Sequence, residues 1–188
     1  MDGRVALHRN LIFVFFFFSG ASGLVFEVIW SRMLSRVFGS TTFALSALLT
    51  AFMTGLALGS ELLGRRARHI RRPLLWYGAL EIGIGLYALL VPVLLEWISV
   101  LYGPLFQQLY GNFYAFSLAR FALVFVVLVV PTLLMGATLP LLSEHTARWG
   151  SGWEGRAGLL YGINTVGACV GTMLSGFWWL SVPALPAT

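Results

Sequence analysis

Ala47 to Pro73, ALLTAFMTGLALGSELLGRRARHIRRP, is the stretch that decides the fold. Its first half is apolar, with Ala47, Ala51, Gly55 and Gly59 at every fourth position. At about 3.6 residues per turn these stack into one ridge of small side chains, onto which a second helix backbone can close. Its second half places Arg65, Arg66, Arg68, Arg71 and Arg72 directly past the apolar run. Cationic clusters at the end of a spanning helix are biased to the cytoplasmic side of a membrane. The stretch therefore predicts a packing surface and an orientation together.

Outward from this stretch the same character continues. The 188 residues are 59% hydrophobic and only 10% charged, against roughly 25% charged in a soluble domain. Every basic residue behind the net charge of +5 is Arg, and the Arg residues lie in gaps between apolar runs. A nucleic-acid partner would need a basic face on a folded soluble surface, so this class is excluded as an expectation. The single Cys169 lies in an apolar run and offers neither a disulfide framework nor a zinc site.

The pattern predicts an all-α, polytopic transmembrane bundle of five spans, at about 11–30, 41–63, 74–101, 113–136 and 157–180. Residues 1–10 form an amino-terminal segment, 11–182 the membrane domain and 183–188 a short tail. Ala21-Ser22-Gly23 resembles a signal-peptide cleavage site, but the apolar run resumes and reaches Trp30. That gives the roughly 20 residues a span needs, so the segment reads as helix 1. Residues 31–40 are expected to be a connection and 102–112 a turn. Helix 3 should tilt or kink at Pro92, and helix 4 should end between Pro131 and Pro140.

An odd number of spans puts the termini on opposite sides. With the amino terminus inside, Arg4, Arg9, the five-Arg cluster, Arg148 and Arg156 make nine inner cations, against Arg32 and Arg36 outside. This positive-inside bias predicts a cytoplasmic amino terminus and an external carboxy terminus. Trp30, Trp97, Trp178 and Trp179 then fall at outer ends, and Trp76, Trp149 and Trp153 at inner ends, as an interfacial aromatic belt requires.

Few residues carry candidate chemistry. Helix 5 holds Gly158 and Gly162 on one face and Gly167 and Gly171, followed by Ser175, on another. With no preceding strand they suit close helix contact rather than phosphate binding. Glu27 and Arg120 lie at similar shallow depth below the outer face, as an ion pair or as two side chains reaching separately for water. Glu81 and Asn164 lie deeper. A carboxyl at the depth of Glu81 finds a hydrogen bond, from Asn164, Tyr161 or a nearby Arg, or else handles protons or a substrate. Glu61 stands four residues before Arg65, the spacing of an interfacial ion pair. His8, His69 and His145 lack ligand spacing, so no metal and no cofactor is expected. No serine or cysteine has a recognisable base beside it, and no catalytic residue is assigned.

Several segments carry a family resemblance: FSGASGLVFEVIW from Phe18, VFGS from Val37, AFMTGLALGS from Ala51, IRRP from Ile70, LEIGIGLY from Leu80, PTLLMGATLP from Pro131 and LYGINTVGA from Leu160. Together they resemble the membrane domain of fused major-facilitator/spermidine-synthase-like bacterial proteins. The resemblance implies an incomplete facilitator half, without the aminopropyltransferase-like domain that often follows in that family. No polyamine-binding or methyl-donor residue has a matching position here. Arg68 stands where related chains tend to carry Asp.

Two functions from different classes follow as expectations. One is a non-catalytic anchor or helix-packing subunit, its open edges on helices 2 and 5 covered by a second copy or by another membrane protein. The alternative is a half-transporter completed by dimerisation, with Glu27, Glu81, Arg120 and Asn164 along the path of a small, polyamine-related solute.

Overall fold

The computed structural model describes residues 2–38, 41–108, 113–149 and 157–181. They form five helices: α1 Asp2–Phe38, α2 Thr41–Ala67, α3 Pro73–Gln108, α4 Phe113–Ala147 and α5 Ala157–Ser181. Among the described residues there is no strand. All five helices contain a segment long and apolar enough to cross a membrane: Asn10–Arg36, Thr42–Ala67, Pro73–Leu101, Tyr114–Ala147 and Ala157–Phe177. The fold is the expected all-α bundle of five candidate spans. The side chains of Arg4, His8, Arg9, Trp178 and Trp179 lie outside the described residues, as do Trp153, Glu154, Arg156 and the tail 183–188.

The helices outrun the apolar segments that announce them. α1 continues to Phe38 through most of the expected 31–40 connection, and α3 continues to Gln108 through the expected turn. Residues 31–38 contain neither Gly nor Pro, and nothing in their chemistry stops a helix once it leaves lipid. α4 passes through Pro131 and Pro140 to Ala147, eleven residues beyond the expected end at Gly136.

The reason Pro131 does not end α4 is tertiary. A proline has no N–H, so it leaves the carbonyl four residues earlier without its helical donor. For Pro131 that carbonyl belongs to Val127, and the Tyr87 hydroxyl of α3 donates to it at 3.1 Å. Neighbouring side chains commonly re-satisfy backbone groups freed in this way within a membrane. Tyr87→Phe is expected to cost about 1 kcal/mol in detergent-micelle unfolding, the usual size of such a bond. Its effect should shrink towards zero in a Pro131→Ala background, where residue 131 regains an N–H. Equal costs in both backgrounds would refute the repair.

The chain divides into two compact units, one of Met1–Ile29 with Gly155–Thr188, the other of Trp30–Glu154. In the larger unit α4 is central, packed against both α2 and α3. Along the α2–α4 seam Ala51 meets Thr132, Leu56 meets Gly136 and Gly59 meets Leu133, so the two helices run parallel. Gly83 faces Leu134 while Tyr87 reaches Val127, so α3 runs antiparallel to α4. This is the alternation that successive membrane crossings demand. Trp30, Leu48, Val91, Leu95, Val124, Leu128, Leu141 and Leu142 form the closed core. In the smaller unit α1 and α5 also run parallel, Phe16 meeting Asn164 and Ala21 meeting Gly171.

Apolar residues on the outside show what solvent the fold suits. Leu86, Leu89, Val93, Trp97 and Val100 make a stripe on α3, each at least 50% exposed. Only 17% of the apolar window of α5 is buried. At about 25 cal/mol per Å² of exposed apolar area, such faces oppose folding in water and suit hydrocarbon. Trp76 and Trp97 are both exposed on α3 and 21 residues apart. At 1.5 Å per residue they are separated by about 31 Å, matching a hydrocarbon core of about 30 Å. Trp30 departs from the expected belt: it is 1% exposed and belongs to the core. α1 does not end there, so Trp30 marks packing rather than an interface.

Candidate functional site

Each unit has its own seam of small residues between two helices. Ala47 and Ala51 are buried, and Gly55 and Gly59 lie directly against α4. A Cβ on Gly55 would overlap the Thr132 side chain and stand 2.9 Å from the Leu133 amide nitrogen. A Cβ on Gly59 would overlap the Leu133 carbonyl oxygen and stand 3.0 Å from the Ala137 nitrogen. The Thr132 hydroxyl donates across the seam to the Ala51 carbonyl at 3.2 Å. The helix 2 ridge was expected to be an open edge for another protein. Instead it is covered by α4 of the same chain, because Gly136 and Thr132 offer a surface as close-fitting as its own.

α5 uses one of its two small faces in the same way. A Cβ on Gly167 would overlap the Phe17 carbonyl, and one on Gly171 would stand 2.8 Å from the Ala21 carbonyl carbon. Gly20 on α1 reciprocates against the Asn164 backbone. Nothing lies within 4 Å of a Cβ at Gly158 or Gly162, so that face of α5 is open among the described residues.

The intramembrane polar residues divide between the units. In the smaller one, the Asn164 side-chain amide donates to the Phe16 carbonyl at 3.0 Å, which gives this mid-span amide a backbone acceptor on α1. Glu27, also in this unit, is half-buried on α1. In the larger unit, Glu81 is half-buried on α3, and the half-buried Arg120 guanidinium lies 5.4 Å from the ring centre of Phe116 on its own helix. That distance permits a cation–π contact. Each of the two expected pairings, Glu27 with Arg120 and Glu81 with Asn164, would join residues of different units.

The polar site with the most complete geometry lies at the loop end of the larger unit. Glu61 pairs with Arg65 at the expected spacing on an exposed face of α2. A second pair, Glu144 with Arg148 at 3.1 Å, repeats that spacing at the end of α4. The Arg148 guanidinium also donates to the carbonyls of Ile70 at 2.8 Å, Arg71 at 3.3 Å and Arg68 at 3.5 Å. Its planar fork of five donors suits several acceptors at once, a job a lysine would do poorly. Arg148 therefore fastens the α2–α3 loop to the end of α4. The Glu144–Arg148 spacing is visible in the sequence. The docking is not, since it spans 77 to 80 residues.

An open cleft of ≈ 400 Å³ adjoins this clamp, bounded by Arg71, Arg72, Leu75, His145, Arg148 and Trp149. His145 and Trp149 stand edge to face, 5.3 Å between ring centres. No protein-family model, curated protein or solved structure matches the chain.

Proposed function

We propose that the chain is a non-catalytic membrane module, an anchor or subunit that works by packing against other transmembrane helices. The observation that carries this is the open Gly158–Gly162 face of α5, on the helix whose apolar window is the least buried of the five. Small residues four apart allow a second backbone to approach closely, and in lipid such contact is a principal source of helix association. The Arg cluster beyond α2 supports a cytoplasmic amino terminus, and the family resemblance supports a bacterial inner membrane. Native mass spectrometry of protein released gently from membranes tests the role. The expected species is heavier than one 20.7 kDa chain, either a second copy or a companion subunit. A solitary chain under the mildest release conditions would reject it.

The second function, a half-transporter completed by dimerisation, is favoured by one observation: the larger unit carries two half-buried ionisable side chains inside its candidate spans, Glu81 on α3 and Arg120 on α4. Ionisable groups within spans are rare and recur along the paths of ions and substrates.

A further inference from the structure

We infer that the cleft beside the Arg148 clamp binds the phosphate-bearing headgroup of an anionic phospholipid. Arg71, Arg72 and Arg148 line it and no carboxylate does. Glu144 offsets part of the Arg148 charge, and three more of the Arg148 hydrogen bonds go to the loop carbonyls. Arg71 and Arg72, both exposed, are left as the ligand-facing cations at a rim that Arg148 holds in place. Guanidinium forks match the paired oxygens of a phosphate group and bind it through charge-assisted hydrogen bonds.

The walls identify the source of the phosphate. Leu74 and Leu75, 41% and 61% exposed, continue the cleft down the first turn of α3, and Trp149 flanks it. A free anion gains nothing from these apolar groups, whereas a lipid lays its glycerol and acyl chains along them. Depth agrees. The cleft begins a few residues before Trp76, the exposed indole at one end of the 31 Å Trp–Trp separation estimated above, and so lies at headgroup level. Basic pockets between transmembrane helices on the cytoplasmic side are a recurrent setting for anionic headgroups. The inference goes beyond the packing role proposed above and does not depend on it, since a solitary chain would present the same cleft.

The test uses the whole chain purified in a neutral detergent, with phosphatidylglycerol, phosphatidylcholine or inorganic phosphate added and bound lipid counted by native mass spectrometry. Wild-type protein is expected to retain phosphatidylglycerol at least about tenfold over phosphatidylcholine, since each guanidinium near an anionic lipid is worth about fivefold. The Arg71→Gln/Arg72→Gln variant should lose that preference. Arg65→Gln/Arg66→Gln removes the same charge from exposed positions on α2 outside the cleft and should keep it. Inorganic phosphate at equal concentration should not displace the lipid. Equal losses in the two double variants would show diffuse attraction, full displacement by phosphate would show a free-anion site, and lack of any headgroup preference would show no site. Each of these results overturns the inference.

Discussion

Gly59→Ala is expected to destabilise the larger unit by about 3 kcal/mol, at the upper end of ordinary overpacking costs. The added methyl would overlap the Leu133 carbonyl oxygen and crowd the carbonyl carbon at 2.9 Å and the Ala137 nitrogen at 3.0 Å. All three are backbone atoms of α4, so no rotamer change relieves the clash and the helices must separate. Gly136→Ala should cost a similar amount, since its methyl would meet the Leu56 Cα at 2.7 Å. Gly78 and Gly85 on α3 supply the opposite sign. Nothing lies within 4 Å of a Cβ at either position, so alanine there should stabilise the helix by about 0.5–1 kcal/mol through backbone entropy alone. Reversible unfolding in mixed micelles, followed by circular dichroism, measures all four. If Gly59→Ala and Gly78→Ala shifted stability alike, the seam would not be the close contact described.

Gly167→Ala combined with Gly171→Ala should part α1 from α5, at a cost of about 2–3 kcal/mol for each overlap before relaxation. Both methyls would point at α1 backbone, at Phe17 and Ala21. With spin labels at the exposed Val14 and Val166, the double variant should broaden and lengthen the distance distribution between the two helices. Gly158→Ala with Gly162→Ala should leave it unchanged, because neither position has a neighbour within 4 Å. A distribution indifferent to which face is changed would contradict the pairing of these helices through the Gly167–Gly171 face.

These predictions mark where the sequence is legible. A four-residue period of Ala and Gly on α2 announces a packing ridge because helical geometry converts that spacing into a stripe. The identity of the partner is not encoded locally: Thr132 lies 81 residues from Ala51, and the two meet only once α3 has turned back. Two small faces on α5 can be separated by spacing alone, but which one meets α1 depends on Phe17 and Ala21, whose carbonyls carry no sequence signature. Helix ends were poorly legible for a different reason. The apolar runs mark where hydropathy falls, and α1, α3 and α4 continue past those points on ordinary helix propensity. Pro131 would end a solitary helix, yet Tyr87 from another helix supplies the donor it removes. Trp30 was misplaced because indole serves both cores and interfaces, and only its burial distinguishes the two.

The polar groups follow the same division. Glu61 and Arg65 are neighbours on one turn, so their pairing is readable from spacing. Asn164 stands at a depth where an amide must find an acceptor. Its acceptor is the Phe16 backbone carbonyl, a group that every residue type carries. Arg148 counted in the sequence only as one more inner cation. Its role as a clamp arises because α4 runs through Pro140 and delivers it to the carbonyls of Ile70 and Arg71.

The central claim is that these helices cross a bilayer with the Arg-rich loop inside, and cysteine labelling in intact cells tests it most directly. In a Cys169→Ser background, single cysteines replace the exposed Arg66, Ser99 and Ala147 in turn, and a membrane-impermeant maleimide is applied from outside. The prediction is labelling at 99 before permeabilisation, and at 66 and 147 only after it. Labelling of 66 and 147 from outside with 99 protected would invert the orientation. Recovery of the protein in the aqueous fraction without detergent would contradict the membrane account altogether.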